Sequence, residues 1–183
     1  SGFDLSFEMI KIAKSKIEAS SALLHIWQSN MDLFQLKIKT DAIICIYDSV
    51  NYLQKPESIV ALLNTTWDNL NDQGLFIFDI CTARNSIEYF QNYFEENGGS
   101  DYSYTRHSTY SKKRKIHKNR FEISFDSEDK KYVEIHEQRI YSVKEILSII
   151  ADSNFNLIGF FDGFSFRQGS EKSYRIHFVL KKE

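Results

Sequence analysis

The chain has 183 residues, 42% of them hydrophobic, with 7 Gly and 1 Pro. That is enough for one domain with a real core, and too ordered a composition for a linker. A formal net charge of −2 excludes a global electrostatic pull toward nucleic acid or an anionic membrane. No apolar run approaches the roughly 20 residues of a membrane-spanning helix and no signal-peptide pattern is visible, so Cys45 and Cys81, both in apolar runs, read as reduced core thiols of a cytoplasmic protein.

Gly2 to Asp4 reads as a strand stub closed by an acid. Ser6 is a good N-cap, Glu8 suits the positive end of a helix dipole, and Met9, Ile10, Ala13 and Ile17 follow helical spacing. Leu23 to Trp27 is a short apolar run that predicts a strand. Asp41 to Ile46 is apolar without alternation, as for a strand buried on both faces of a parallel sheet. Pro56 opens a helix to about Leu70 with Ile59, Leu62, Leu63 and Trp67 on one stripe; Asn71 to Gly74 ends it and Leu75 to Ile80 is a further buried strand. Strand and helix thus alternate, the pattern of an α/β layer.

Beyond that point the pattern changes. Ser86 to Phe94 reads as a helix and Glu95 to Asp101 as a mobile acidic loop. Tyr102 to Tyr110, Arg120 to Phe125 and Lys131 to Tyr141 alternate with period two, which predicts an antiparallel meander. Val143 to Asp152 is helical again. Phe155 to Phe161 and Tyr174 to Leu180 are strands joined by a loop too short for a crossover helix, so they pair antiparallel.

Some chemistries find no support. The five His residues show no metal-ligand spacing with Cys or acids, so no metal site is predicted, and neither a Ser nucleophile elbow nor a glycine-rich phosphate loop is present. The basic run Lys112 to Lys118 reads as a solvated hairpin end rather than an RNA contact. Asp4 is different. An acid closing a strand at the lip of a parallel sheet can grip the paired hydroxyls of a ribose, and in a dinucleotide-type fold it follows a first strand and a glycine-rich turn by roughly 20 residues. Nothing here precedes it, so the expectation is an amino-terminally truncated sheet, weak in cofactor binding and in stability.

Three segments carry a resemblance to a known family. Gly2-Phe3-Asp4-Leu5-Ser6-Phe7-Glu8-Met9-Ile10 resembles the segment after the second strand of class I S-adenosylmethionine (SAM) dependent methyltransferases. Asp41 through Leu53 resembles their fourth strand and the loop after it, and Gln73 to Asp79 their fifth-strand segment. Glu134, His136, Gln138, Arg139 and Tyr141 are similar to an element of a bacterial small-substrate subgroup. The order is right over essentially the whole chain.

The resemblance implies roles. Asp4 and the adjoining Leu5 would hold the ribose of SAM, and Asn30 and Met31 the adenine, with an amide where relatives carry an acid. Tyr47 and Asp48 would border the methionine part and the methyl-transfer centre. Asn51 and Tyr52 would meet the acceptor. From the residues alone, Asp48 and Ser49 could equally cap the turn that follows. Glu134, His136 and Gln138 share one strand face, able either to bind the acceptor, with His136 as base, or simply to face water.

The expected architecture is a Rossmann-like α/β methyltransferase sheet with a carboxyl-terminal antiparallel strand pair. Residues 1–183 form one domain, and residues 100–141 an antiparallel insert that roofs the acceptor. The expected activity is transfer of the SAM methyl to a small-molecule acceptor by in-line displacement, with no nucleic-acid or membrane partner. A nicotinamide-dependent Rossmann enzyme and a non-catalytic scaffold of the same fold are the alternatives.

Overall fold

The computed structural model describes residues 1–20 and 23–183. Strands β1 (Gly2–Asp4) and β2 (Ile26–Gln28) pair in parallel, with helix α1 (Phe7–Ser20) between them in sequence. The second predicted strand is thus later and shorter than Leu23 to Trp27. A four-stranded sheet follows, built from β3 (Thr40–Cys45), β4 (Leu70–Cys81), β9 (Asn156–Asp162) and β10 (Arg175–Lys181), in the order β3-β4-β10-β9. Strands β3 and β4 run parallel; β10 is antiparallel to both of its neighbours.

One face of this sheet makes the core. Phe76, Phe78 and Ile80 alternate along β4, and Ile176, Phe178 and Leu180 along β10, all essentially without exposure. Helix α2 (Pro56–Asn69) lays Ile59, Leu62 and Leu63 on them, and α4 (Val143–Ala151) adds Ile146 and Ile150. The Phe78 and Phe178 rings stack at 5.0 Å across neighbouring strands. Each such side chain stabilises the fold by about 1.5–3 kcal/mol. A capping box starts α4: Ser142 Oγ accepts from the Glu145 N–H, and the Glu145 carboxylate accepts from the Ser142 N–H.

A second sheet, in the order β5-β6-β7-β8, holds β5 (Tyr93–Gly98), β6 (Tyr102–Ser111), β7 (Ile116–Phe125) and β8 (Lys131–Arg139), all antiparallel. It spans residues 93–139 rather than 100–141, because β5 belongs to it.

Four expectations are corrected. Helix α3 is Ala83–Tyr89, capped by Thr82, and stops well short of Phe94; Asn92 takes a left-handed conformation with φ 56° and turns the chain into β5. The acidic stretch from Glu95 is therefore not a loop through its length. Glu95 sits in a strand where the Tyr104 hydroxyl donates to it at 2.9 Å, which compensates its low strand propensity. Residues Asn71 to Gly74 do not form a separate turn; β4 runs on directly from α2 through them, with a register shift against β3. Finally, β3 is buried on one face, not two: Ile43 and Cys45 pack on the core, while Ile44 is 62% exposed on the other side. The core helices α2 and α4 touch each other and cover the same face.

Candidate active site

The chain leaves β3 through Tyr47 and Asp48, both left-handed at φ 60° and 51°, into a 3-10 turn at Ser49–Tyr52. Two successive non-glycine residues in that region are held only where the surroundings enforce it. Here they do. The Asp48 N–H donates to Asp79 Oδ1 at 2.9 Å, and Ser49 Oγ donates to the Ile46 carbonyl at 2.8 Å. The Asp48 side chain makes no cap bond to the turn.

Its two oxygens are engaged elsewhere: Oδ1 by the Arg175 guanidinium and Oδ2 by the Gln138 amide. Arg175 also binds Asp79, whose side chain is almost wholly buried at the end of β4. Burial works against the Arg175 charge, but its bond to Asp79 and the field of Asp48 outweigh that and hold its pKa above the ordinary value. Asp48, expected to border the reacting methyl, is thus a strut between β8 and β10. Tyr47 beside it is 77% exposed at the carboxyl end of β3.

Two residues expected to meet the acceptor, Asn51 and Gln138, hydrogen-bond within the protein. Asn51 has no exposure; its Oδ1 accepts from the Cys81 N–H at 2.8 Å and its Nδ2 donates to the Arg139 carbonyl at 2.8 Å. All of its hydrogen-bonding capacity serves to join the turn, β4 and β8. Gln138 is buried too and holds Asp48. The Asn51 amide is thus engaged on both its oxygen and its nitrogen, and the Gln138 amide on its nitrogen.

Tyr52, His136 and Glu134 do come together. The Tyr52 hydroxyl lies 3.1 Å from His136 Nδ1, and His136 Nε2 lies 3.4 Å from Glu134 Oε2. Burial and then the Asp48 charge raise the Tyr52 pKa, so its phenol stays protonated. A proton on Nε2 satisfies both contacts, leaving Nδ1 to accept from Tyr52. His136 and Glu134 line a cleft of about 260 Å³ with Tyr102, Tyr104, Phe121 and Ile123, all on the face of the second sheet that carries Gln138. Val133 and Ile135 take the opposite face and are about half exposed. Gln138 is buried and His136 half-buried on the inner face, whereas Glu134 lines the cleft with its side chain exposed.

At the other end of the edge, Asp4 and Gln28 are register partners at the carboxyl ends of β1 and β2. Asp4 Oδ1 accepts from the Ser6 N–H at 2.7 Å, and Oδ2 has no partner among the described residues. Leu5 is exposed, and its carbonyl accepts from Gln28 Nε2 at 2.8 Å. Asn30 is exposed and bridges Leu33, whereas Met31 packs its side chain on the core.

No family model matches the chain. A protein of Geobacillus sp. strain WCH70, provisionally named a methyltransferase, is 26% identical over 99% of this chain and 74% of its own length. The Bacillus subtilis strain 168 protein with the provisional name methyltransferase YqeM is 25% identical over the same shares. Among solved structures, an S-adenosylmethionine-dependent methyltransferase from Clostridium acetobutylicum superposes with a TM-score of 0.85 at 20% identity, over 98% of this chain and 73% of its own. A SAM-bound amino pentose methyltransferase from Micromonospora echinaspora gives 0.69 at 14%, over 100% and 73%. The chain has the fold of class I SAM-dependent methyltransferases and is similar in sequence to proteins provisionally named methyltransferases. SAM is the cofactor named for both of these structural neighbours.

The residues of the two-stranded β1-β2 sheet fit that group. Asp4 has one oxygen with no hydrogen-bond partner among the described residues, able to accept from a ribose hydroxyl, and Asn30 a solvent-facing amide able to accept from an adenine amino group. Met31, its side chain committed to the core, has only its backbone to offer.

Arg175 and Asp79 were not anticipated as site residues. Each is a charge inside an apolar run, Phe76 to Cys81 and Arg175 to Leu180, and a charge in a core strand requires an opposite partner. That signal was present, although it does not say which partner. Among the described residues there is no group of three or more His, Cys, Asp or Glu placed to hold a metal ion, and no helix long and apolar enough to cross a membrane.

Proposed function

We propose that this methyltransferase transfers the methyl group of SAM to a small-molecule acceptor bound between the loop after β3 and the inner face of the inserted sheet. Asp4, Leu5, Asn30 and Met31 hold the nucleoside, with Tyr47 over the methionine end. Tyr52, Glu134 and His136 hold the acceptor and take its proton, and Asp48 and Gln138 fix the loop between the two halves.

The observation that carries this reading is the Tyr52–His136 contact of 3.1 Å. It sets a proton acceptor from the insert against the loop at the carboxyl end of β3, where open α/β sheets bind ligands. When bound, SAM supplies an electrophilic methyl and its own leaving group. The chain's residues then have to orient the acceptor, exclude water and remove one proton. An amino pentose is the acceptor class of one structural neighbour, in line with a small-molecule acceptor.

Calorimetry of the intact protein with SAM and with NAD tests the cofactor, and a screen of pooled metabolites with methyl-labelled SAM tests the transfer. SAM binding with label incorporation supports the proposal. Binding of NAD alone would make the chain a nicotinamide enzyme, and binding of neither would leave a scaffold.

A further inference from the structure

We infer that the acceptor cleft is built for a cationic amine, an inference resting on the reading above that this cleft receives the methyl acceptor. It starts from how charge is sorted between the two faces of the inserted sheet. The strand register puts Glu95, Arg106, Glu134 and His136 on the inner face and Lys118, Arg120 and Lys131 on the outer. Arg106 is therefore the one Lys or Arg of the inner face.

That charge is paired within the sheet: Arg106 Nη1 lies 3.9 Å from Glu95 Oε2. Arg106 Nε and Nη2 donate to Asn119 Oδ1 at 3.1 and 2.9 Å, and Nε donates to Ser108 Oγ at 3.1 Å. Its guanidinium also lies 4.9 Å from the Phe90 ring centre and 5.6 Å from that of Phe121. Glu134 is the opposite case. Among the described residues its one partner is His136 at 3.4 Å, and its side chain is 61% exposed in the cleft.

Around that carboxylate stand the rings of Tyr102, Tyr104 and Phe121. Aromatic faces attract cations, and a carboxylate with spare acceptor capacity adds a charge-assisted bond. A neutral hydroxyl gains neither, and an anion is repelled by Glu134. The cleft, at about 260 Å³, lies below the roughly 300–1,000 Å³ of drug-sized pockets, so it suits an amino group on a small ring or short chain.

The proton-accepting pair fits this substrate class. An ammonium has no lone pair and must lose a proton before it can attack. That proton passes to the Tyr52 oxygen as the Tyr52 proton moves to His136 Nδ1. The freed nitrogen pair then forms the bond to the methyl carbon while the carbon–sulfur bond of SAM breaks, its electrons remaining on sulfur. The product is the methylated ammonium, neutral S-adenosylhomocysteine and an imidazolium next to Glu134.

Calorimetry of the intact protein at pH 7 with benzylamine, benzyl alcohol and benzoate tests the inference. The ring and carboxylate contributions together predict binding of benzylamine about tenfold tighter than benzyl alcohol, with benzoate weakest. In Glu134→Gln that advantage disappears, and an unchanged melting temperature shows that the variant is folded. Equal binding of amine and alcohol overturns the inference, as does binding of none of the three or an advantage that survives in Glu134→Gln. SAM binding without amine preference sinks the inference alone. Amine preference without SAM binding sinks the methyltransferase reading instead.

Discussion

The Tyr52 hydroxyl and His136 Nδ1 lie 3.1 Å apart although 84 residues separate them in the chain. The contact joins the loop after β3 to the middle of β8, and it gives the imidazole a defined orientation by occupying one of its two nitrogens. Orientation of this kind is what a proton acceptor needs before its basicity matters.

With an acceptor in hand, Tyr52→Phe lowers kcat about tenfold and His136→Asn about a hundredfold or more, the range of positioned acid–base groups. Neither changes SAM affinity measured by calorimetry. Retention of full turnover by His136→Asn would remove it from the chemistry.

Asp4 exposes one carboxylate oxygen while the other binds the Ser6 N–H. Asp4→Asn keeps that local bond and removes the charge. SAM affinity falls about tenfold or more, as expected when charge-assisted bonds to two hydroxyls become neutral ones. The melting temperature without ligand stays put, because the residue is exposed. Unchanged SAM affinity would place the ribose elsewhere.

Arg175 neutralises Asp79, whose side chain is only 2% exposed. Arg175→Met leaves a buried carboxylate without its counter-charge, a loss of about 3–5 kcal/mol. Asp79→Asn added to it restores much of that, since a neutral amide oxygen still accepts from the Asp48 N–H. Chemical denaturation of the two single variants and the double variant measures the coupling; additive losses would mean the pair is not a unit.

His117 is almost fully buried, shares a hydrogen bond of 3.2 Å with Ser86 Oγ, and stacks near Phe90. Burial pushes its pKa below the ordinary value, with the Asn119 contact opposing. A histidine with a lowered folded pKa stabilises the fold above its unfolded value of about 6.5 and loses that contribution as pH falls through it. Thermal melts from pH 7.5 to 5 therefore show a falling midpoint, and His117→Asn flattens part of that slope. An identical slope in the variant would assign acid sensitivity to other groups.

Much of this architecture is legible in the sequence because burial is periodic. Phe76, Phe78 and Ile80 alternate, so β4 is readable, and Ser142 with Glu145 announces α4. Strand β5 is not readable, because Glu95, Glu96, Asn97 and Gly98 have loop preferences that only pairing with β6 overrides. The site is less legible still. Asn51 and Gln138 look like ligand-binding amides in the sequence, and what consumes them are partners 88 and 90 residues away. Local pattern carries no information about such distances. The inward turn of Glu134 and His136 had the same ambiguity, since alternation defines two faces of a strand but not which one meets protein.

Four successive residues of β8 are tied to the segment after β3: His136 to Tyr52, the Glu137 carbonyl to Gln54, Gln138 to Asp48, and the Arg139 carbonyl to Asn51. The seam makes that rim of the cleft a closed wall. The free edge of the inserted sheet is β5, at the far side from the seam. Variation there can reshape the cleft and the choice of molecule admitted, while the distance between His136 and Tyr52 is kept by a seam that such changes do not touch.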